Sequence, residues 1–580
     1  MKAYHNSQES AFRTPFGAVA VGTEVTLRIK IEGKVDGVDL RLWSDGEEII
    51  HKMSKTRGKM YEVKITAEKP MLLWYFFIIH QDSSKCYYGS NMQLSDDEPD
   101  SFQITIYKED YKTPRWFQKS VVYQIFVDRF YNGNKDKKIL KKHEDYILHK
   151  HWNEPVSSAN AHNDFYGGNL QGIIEKLDYF VDLGVNVLYL NPIFEAYSNH
   201  KYDTGDYTKI DPMYGDEKIF KNLCKQAKKR NISIVLDGVF NHTGSDSKYF
   251  NKYGHYDSVG AYQSTESPYH NWYRFEEFPN KYECWWGVHS LPQVNEENED
   301  YVNYIIKNED SVIKHWLKAG ARGWRLDVVD ELPSLFVKNI RQAVKELDKD
   351  NVLIGEVWED ASNKISYGVQ REYLLGDELD GPLNYPFKDL INGFIIGLID
   401  AEIVSTTVNK IRENYPAQSL YSAMNLIGGH DVVRIKTLYS NGQTDIDSEE
   451  ISRKRVKLAA LWQMTFMGVP TIYYGDEVGL EGAADPYNRA PYPWNNSDIE
   501  LYDWYRTLIK LRNSTPALQT GYFEEVKSSG DVYSYKRYIK NGKDAFGRKA
   551  EDGEYLIVLN RKNITGKIYK IEKGKKHECI

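Results

Sequence analysis

Arg325 and Asp327 sit two residues apart in the run Gly323-Trp324-Arg325-Leu326-Asp327-Val328-Val329-Asp330-Glu331, and no other feature narrows the fold of this chain as much. Apolar neighbours on both sides, following a glycine, predict a short strand buried on both faces. Side chains alternate along a strand, so the arginine and the aspartate point the same way. A guanidinium there holds the carboxylate ionised and fixes its direction. Taken alone, the pair is more readily read as a structural ion pair at a strand end, since such pairs also occur away from active sites. Four further strand-like runs also end in polar groups: Asp237-Gly-Val-Phe-Asn241-His242, Gly355-Glu356-Val357-Trp358, Gly429-His430-Asp431 and Tyr474-Gly475-Asp476-Glu477. Helical patterns lie between many of them. Polar residues gathered at the C-terminal ends of successive parallel strands predict a (β/α)8 barrel with its chemistry at that end.

The remaining strands follow from the same reading. Val121–Phe126 opens the barrel, Val185–Asn191 is the second strand, Ile232–Asp237 the third, and the sixth is poorly marked near Leu379–Leu383. Before the barrel, residues 1–112 carry alternating runs such as Glu24-Val-Thr-Leu-Arg-Ile-Lys-Ile and Val38-Asp-Leu-Arg-Leu-Trp, punctuated by Gly, Asp and Pro, which predict an antiparallel β-sandwich. Trp43, Trp74 and Tyr75 are read as its core rather than as a sugar-binding face, because an apolar strand face needs large residues. After the barrel, Val532-Tyr-Ser-Tyr and Tyr555-Leu-Ile-Val-Leu predict a small C-terminal β-domain. The expected division is 1–112, 113–515 and 516–580, with an irregular insertion at about 241–299. An irregular stretch of that length is usually functional.

These segments, in this order, resemble the signature regions of the α-amylase superfamily of glycoside hydrolases (family 13), over roughly residues 115–500. The pattern is most similar to the neopullulanase, cyclomaltodextrinase and maltogenic amylase group. The resemblance implies a TIM barrel with an inserted domain B and an N-terminal sandwich that contributes to a homodimer and narrows the cleft. It implies an enzyme cleaving α-1,4 bonds of starch, maltodextrins, cyclodextrins or pullulan, with transglycosylation. By resemblance Asp327 is the nucleophile, Glu356 the general acid/base, and Asp431 a third carboxylate gripping the distorted sugar. Tyr202, His242, Arg325, Glu331, Trp358, His430 and Arg489 are the expected substrate-binding residues, while Asp237 and Asn241 brace the third-strand loop. The chemistry suits the division: two carboxyls flank a glycosidic bond, one donating a proton and one trapping the oxocarbenium-like centre. Asp327 beside Arg325 is expected to stay ionised, and Glu356, followed by Val357 and Trp358, to be raised by apolar surroundings. A glucanotransferase or branching enzyme would use the same carboxyls, and a non-catalytic member would keep only the fold.

Two departures from the pattern matter. The group's Met-Pro-Lys-Leu-Asn signature reads Leu291-Pro-Gln-Val-Asn295 here, and its Asn-Glu after the nucleophile strand reads Asp330-Glu331, which leaves the preferred glucan open. Where calcium-binding relatives carry carboxylates and asparagine, this chain has Asn132-Gly133-Asn134, Lys137-Lys138 and Gly167-Gly168-Asn169. Calcium favours anionic oxygens, so no cofactor is required and calcium is expected to bind weakly at most. Cys86, Cys224, Cys284 and Cys579 have no metal-ligand spacing and suggest no disulfide framework; Cys224 reads as a core thiol. A net charge of -8 leaves no basic footprint for nucleic acid, and runs such as Lys135–Lys138 and Lys141-Lys142 read as solvated loop. Aromatics make up 14% of the residues, 44 of them tyrosines, which suits sugar faces without identifying a carbohydrate protein. Met1 is followed by no signal-like apolar stretch and no run spans a membrane, so a cytoplasmic protein is expected.

Overall fold

The computed structural model describes residues 1–580 except 83, 135–139 and 441–445, and omits the side chains of 160, 446 and 447. The chain forms two compact units. The first contains Met1–Lys112 together with Asp360–Asp380 and Thr406–Leu420; the second contains Thr113–Glu359, Gly381–Ser405 and Tyr421–Ile580.

In the first unit, Val25–Glu32 pairs antiparallel with Lys2–Tyr4 and Met60–Ile65, and Met71–Gln81 pairs antiparallel with Gly37–Ser44, Ser84–Tyr88 and Phe102–Tyr107. Alternate residues of these strands, including Leu27, Ile29, Leu40, Phe77, Ile79 and Ile104, bury into one core. Tyr75 is fully buried and stacks on Phe102, as a core residue should. Trp43 is 37% exposed, so the core reading fails for it: it lies near the end of its strand, opposite Trp74. The later segments join this unit through buried polar contacts: Arg13 Nη1 bonds Glu413 Oε1 at 2.7 Å, and Gln103 Nε2 donates to Ser362 Oγ at 3.0 Å.

The second unit holds a closed parallel barrel in chain order. Its strands are β1 (Val122–Ile125), β2 (Val187–Leu190), β3 (Ser233–Gly238), β4 (Gly323–Leu326), β5 (Val352–Val357), β6 (Gly381–Asn384), β7 (Met424–Leu426) and β8 (Val469–Tyr473). Val122, Val187, Val235, Val352, Ile354, Leu383 and Val469 pack as a shared apolar cluster. Helices return between strands in ways the sequence explains. In α1 (Glu217–Lys229), Asp216 caps the N-terminus by accepting from Ile219 N at 2.8 Å, and Phe220, Leu223, Cys224 and Ala227 form the buried stripe. Burial pushes the Cys224 thiol up to about 12, which makes it inert.

Between β3 and β4 the insertion is irregular, with one short hairpin (Phe275–Glu277 with Lys281–Tyr282). It folds back onto its own start through bridges from His242 to Gln293 and from Tyr273 to Val294. After β8 come Ile499–Ser514 and a five-stranded antiparallel sheet from Tyr522 to Glu578. That sheet belongs to the barrel's unit; Arg537 on it donates to Thr465 O at 2.9 Å. Lys142 departs from the solvated reading: its ammonium donates to Ala196 O at 3.1 Å and lies 3.5 Å from Glu195 and 3.7 Å from the buried Asp211. Lys135–Lys138 lie outside the described residues. Among the described residues no helix is long and apolar enough to cross a membrane.

Candidate active site

Strand register builds the centre of the site. Asp237 of β3 lies opposite Arg325 of β4, and Arg325 lies opposite Ile354 of β5. Asp327 and Glu356 each stand two residues further on, hence on the same face and one step nearer the C-terminal mouth. One fully buried guanidinium therefore serves three carboxyls. Arg325 Nη1 donates to Asp237 Oδ1 at 2.8 Å and to Asp327 Oδ1 at 2.7 Å, and Nη2 lies 3.0 Å from Glu356 Oε2. Asp327 Oδ2 receives no hydrogen bond from the described residues.

Sharing changes the electrostatics expected of Asp327. Burial pushes its carboxyl well above the usual range; Arg325 opposes this, while Glu356 and Asp237 reinforce it. Burial also raises Asp237, against the pull of Arg325 and of hydrogen bonds from Tyr189 and Tyr202. The expectation that Arg325 holds Asp327 ionised is thus corrected: one cation divided three ways does not outweigh burial and two like charges. Glu356, expected to lie in apolar surroundings, is buried but also meets polar donors. Its Oε2 accepts from Val328 N–H at 2.9 Å, and its Oε1 from Trp358 Nε1 at 3.1 Å. A protonated Glu356 keeps these contacts only with its O–H turned away from both donors. Val328 adopts φ 39° and ψ 47°, a left-handed conformation costly for a β-branched residue, and in it the N–H meets Glu356. The Trp358 indole stacks on Tyr385 at 3.8 Å, fixing its direction.

Tyr202 is the second hub. Its hydroxyl donates to Asp237 Oδ2 at 2.8 Å, accepts from Asn191 Nδ2 at 2.9 Å and lies 2.7 Å from His430 Nε2. Gln124 Nε2 lies 3.0 Å from His430 Nδ1 and donates to it, which leaves the proton on Nε2, facing Tyr202 and, at 3.2 Å, Asp431 Oδ2. Arg489 Nε donates to the His430 carbonyl at 3.1 Å, with Nη2 3.6 Å from Asp431 Oδ1 and Nη1 3.0 Å from Asp485. His242 reaches the Tyr202 carbonyl through Nε2 at 3.2 Å and stacks on Trp285. Burial lowers His242 to about 4 and His430 well below its ordinary value, so both are neutral hydrogen-bonding groups near pH 7. Glu331 Oε1 accepts from Trp285 Nε1 at 3.1 Å and Trp286 Nε1 at 2.6 Å, holding out an indole that is 77% exposed.

All the site residues expected from sequence thus fall in one chain of contacts. It runs Glu331–Trp285–His242–Tyr202–Asp237–Arg325, then forks to Asp327 and to Glu356–Trp358, with His430, Asp431 and Arg489 branching from Tyr202. Asp237 braces the site through Tyr189, Tyr202 and Arg325. Asn241 meets His242 and the buried Glu296. Sequence reasoning missed Gln124, Tyr189, Asn191, Trp285 and Trp286. The first three are polar or phenolic residues in or beside apolar barrel strands, a signal that period-two alternation alone could have raised. The polar end of β8 reaches the network at second hand: Asp476 pairs with Arg434 at 3.1 Å, Arg434 Nε donates to Asn488 O and Asn488 Nδ2 to His430 O, while Glu477 accepts from Tyr123 and Tyr179. In the loop compared with calcium sites, Asn169 Oδ1 accepts from Gly172 N at 2.8 Å and Gly133 N at 3.2 Å, and Asn132 Oδ1 from Asn134 N at 2.9 Å. Those oxygens are engaged by backbone donors; Lys137 and Lys138 lie outside the described residues.

A family description of the alpha amylase catalytic domain matches residues 124–510, a span that takes in every residue of this network. The chain belongs to the alpha-amylase family. It is 37% identical over 625 residues to an amylopullulanase of Thermoanaerobacterium saccharolyticum, covering 96% of this chain and 48% of the relative. Neopullulanase 2 of Thermoactinomyces vulgaris is 31% identical over 580 residues, covering 96% of this chain and 91% of the relative. Among solved structures, the type III pullulan hydrolase from Thermococcus kodakarensis aligns with a TM-score of 0.68 at 25% identity, over 96% of this chain and 94% of the other. The chain spans about half or less of the length of the amylopullulanases it matches. The closed eight-stranded barrel and family membership agree with the fold read from sequence.

Proposed function

We propose that this alpha-amylase family chain hydrolyses α-1,4 bonds of maltodextrins, starch, cyclodextrins or pullulan with retention of configuration, and transfers some glycosyl units to sugar acceptors. The observation that carries this reading is the Arg325 cluster, with Asp327 and Glu356 on the two Nη atoms of one buried guanidinium. Carboxyls held that close favour the retaining spacing of about 5 Å over the inverting range of about 6.5–9.5 Å. In this reading Asp327 attacks the anomeric carbon through Oδ2, the oxygen free of donors, while Arg325 fixes Oδ1. Glu356 protonates the leaving oxygen and later takes a proton from water, or from a sugar hydroxyl during transfer. Asp431, with its side chain 32% exposed, takes hydroxyls of the distorted sugar; Tyr202, His242, His430 and Arg489 line the same subsite. Trp286 and Trp358 offer flat rings beyond it.

Amylopullulanases, neopullulanase 2 and a type III pullulan hydrolase carry names that speak for pullulan and starch-like substrates. Product chromatograms from maltotriose, β-cyclodextrin and pullulan, with the product anomer read by NMR, test the proposal. Short α-linked products released first as the α-anomer support it; no cleavage, or first-formed β-anomer, overturns it. Longer products in place of hydrolysis would favour a glucanotransferase.

A further inference from the structure

Away from the glucan site, His143, Asp246 and His255 come together although they are distant in sequence. One ligand atom from each lies within 4.8 Å of the other two. His143 belongs to the long connection after β1; Asp246 and His255 belong to the insertion after β3. His255 Nδ1 lies 3.0 and 3.1 Å from the two Asp246 oxygens, so this carboxylate already faces one imidazole. The His143 ring stands 5.4 Å from the His255 ring and rests against Tyr146 and Tyr197. Its Nε2 is sealed from solvent and meets no hydrogen-bonding partner. A buried ring nitrogen without a partner needs a reason, and an unfilled ligand position is one.

We propose that His143, Asp246 and His255 bind one zinc ion that staples the loop after β1 to the inserted domain. Two imidazoles and one carboxylate are a three-ligand set that zinc accepts, with water completing the tetrahedron. Metal–ligand bonds of about 2.0–2.2 Å require the three atoms to draw in from their present separations. Rotation of the His255 ring can supply that movement, since its side chain is 51% exposed against 11% for Asp246. Calcium is a poor fit, because it prefers a shell of six to eight oxygens. No short motif marks such a site: the ligands are scattered along the chain, and the cysteines that usually raise the question lie elsewhere.

The test uses the full chain without a histidine tag, stripped with chelator and titrated with zinc chloride alone by calorimetry. One equivalent should bind, and the melting midpoint should rise with zinc but not with calcium. His143→Gln and His255→Ala should each weaken zinc binding by at least about tenfold, as loss of a ligand does, while melting like the stripped wild type without metal. Cobalt substitution should give the visible absorption of a tetrahedral ion in wild type only. Absence of stoichiometric zinc binding, or equal zinc affinity in both folded variants, would overturn the proposal.

Discussion

Replacing Asp327 by asparagine should separate the chemistry of the site from its stability. In the folded protein Asp327 shares Arg325 with Asp237 and Glu356, and burial and those two neighbours drive its carboxyl upward. At an effective dielectric of about 20, an ion pair at contact attracts by about 4 kcal/mol and like charges about 5 Å apart repel by about 3 kcal/mol. An ionised Asp327 therefore gains about 4 kcal/mol from Arg325 and loses about 6 kcal/mol to its two neighbours, before any cost of leaving water. Asparagine keeps an acceptor for Arg325 Nη1 and discards the charge. The variant should consequently match or exceed wild type in urea resistance at pH 7, while turnover of maltotriose falls by about four orders of magnitude, on the scale of losing a catalytic carboxyl. Urea melts and a coupled glucose assay on the same preparations decide both halves. Near-normal turnover in the folded variant would remove Asp327 as nucleophile. Marked destabilisation would show that the shared guanidinium outweighs the crowding argued above.

Glu356→Gln should abolish hydrolysis of maltodextrins yet still form glycosyl-enzyme from a substrate with an activated leaving group, because only the proton is missing; equal losses on both substrates rule out the general-acid role. Burial pushes Glu296 up to about 8 from 4.5, so the folded state holds that proton more tightly, and the stability this contributes is present below pH 4.5 and lost as pH rises through 8. Glu296→Gln should thus gain about 1–1.5 kcal/mol on wild type between pH 7 and 9, and parallel stability curves would contradict it. Calcium added to chelator-stripped protein should leave the melting midpoint and the activity unchanged, since the Asn132 and Asn169 oxygens already accept backbone donors; a rise of several degrees would show the loop was misread. Light scattering should find a homodimer that deletion of residues 1–112 dissociates, and a monomeric full-length chain contradicts this.

The barrel was legible because its strands are short, buried runs that end in polar groups, and a run of that kind has few places to go except a parallel sheet covered on both faces. Val122–Ile125 and Val187–Leu190 fall inside the stretches read as strands, and Ser233–Gly238 overruns the third stretch by one residue. Charge state was not legible, because it depends on how many partners a group shares. Arg325 beside Asp327 looks like a private pair in one dimension; the register of β3, β4 and β5 turns it into one cation among three carboxyls. The hydrogen bonds of Glu356 were hidden in the same way: Val357 and Trp358 are apolar in sequence, yet the carboxyl accepts from an indole N–H and from the backbone N–H of Val328. Lys142 looked solvated because its partners, Glu195 and Asp211, come from a distant segment.

The crowding that sequence could not show gives the site a proton to use. Asp237 has little room for one: Oδ1 accepts from Arg325, and Oδ2 from the hydroxyls of both Tyr189 and Tyr202. Asp327 is served on one oxygen only, and Glu356 on both, each by a donor that an O–H could replace only by turning outward. Burial and the charges of Glu356 and Asp237 raise the Asp327 carboxyl, and its Oδ2 is the oxygen that meets no donor among the described residues. The proposed function needs a proton on Glu356, with Asp327 charged. On that reading a cationic centre developing above Asp327 Oδ2 favours the charged form of that carboxyl, so the bound sugar itself works against the crowding. Arg325 keeps one Nη atom near each of the two carboxyls throughout.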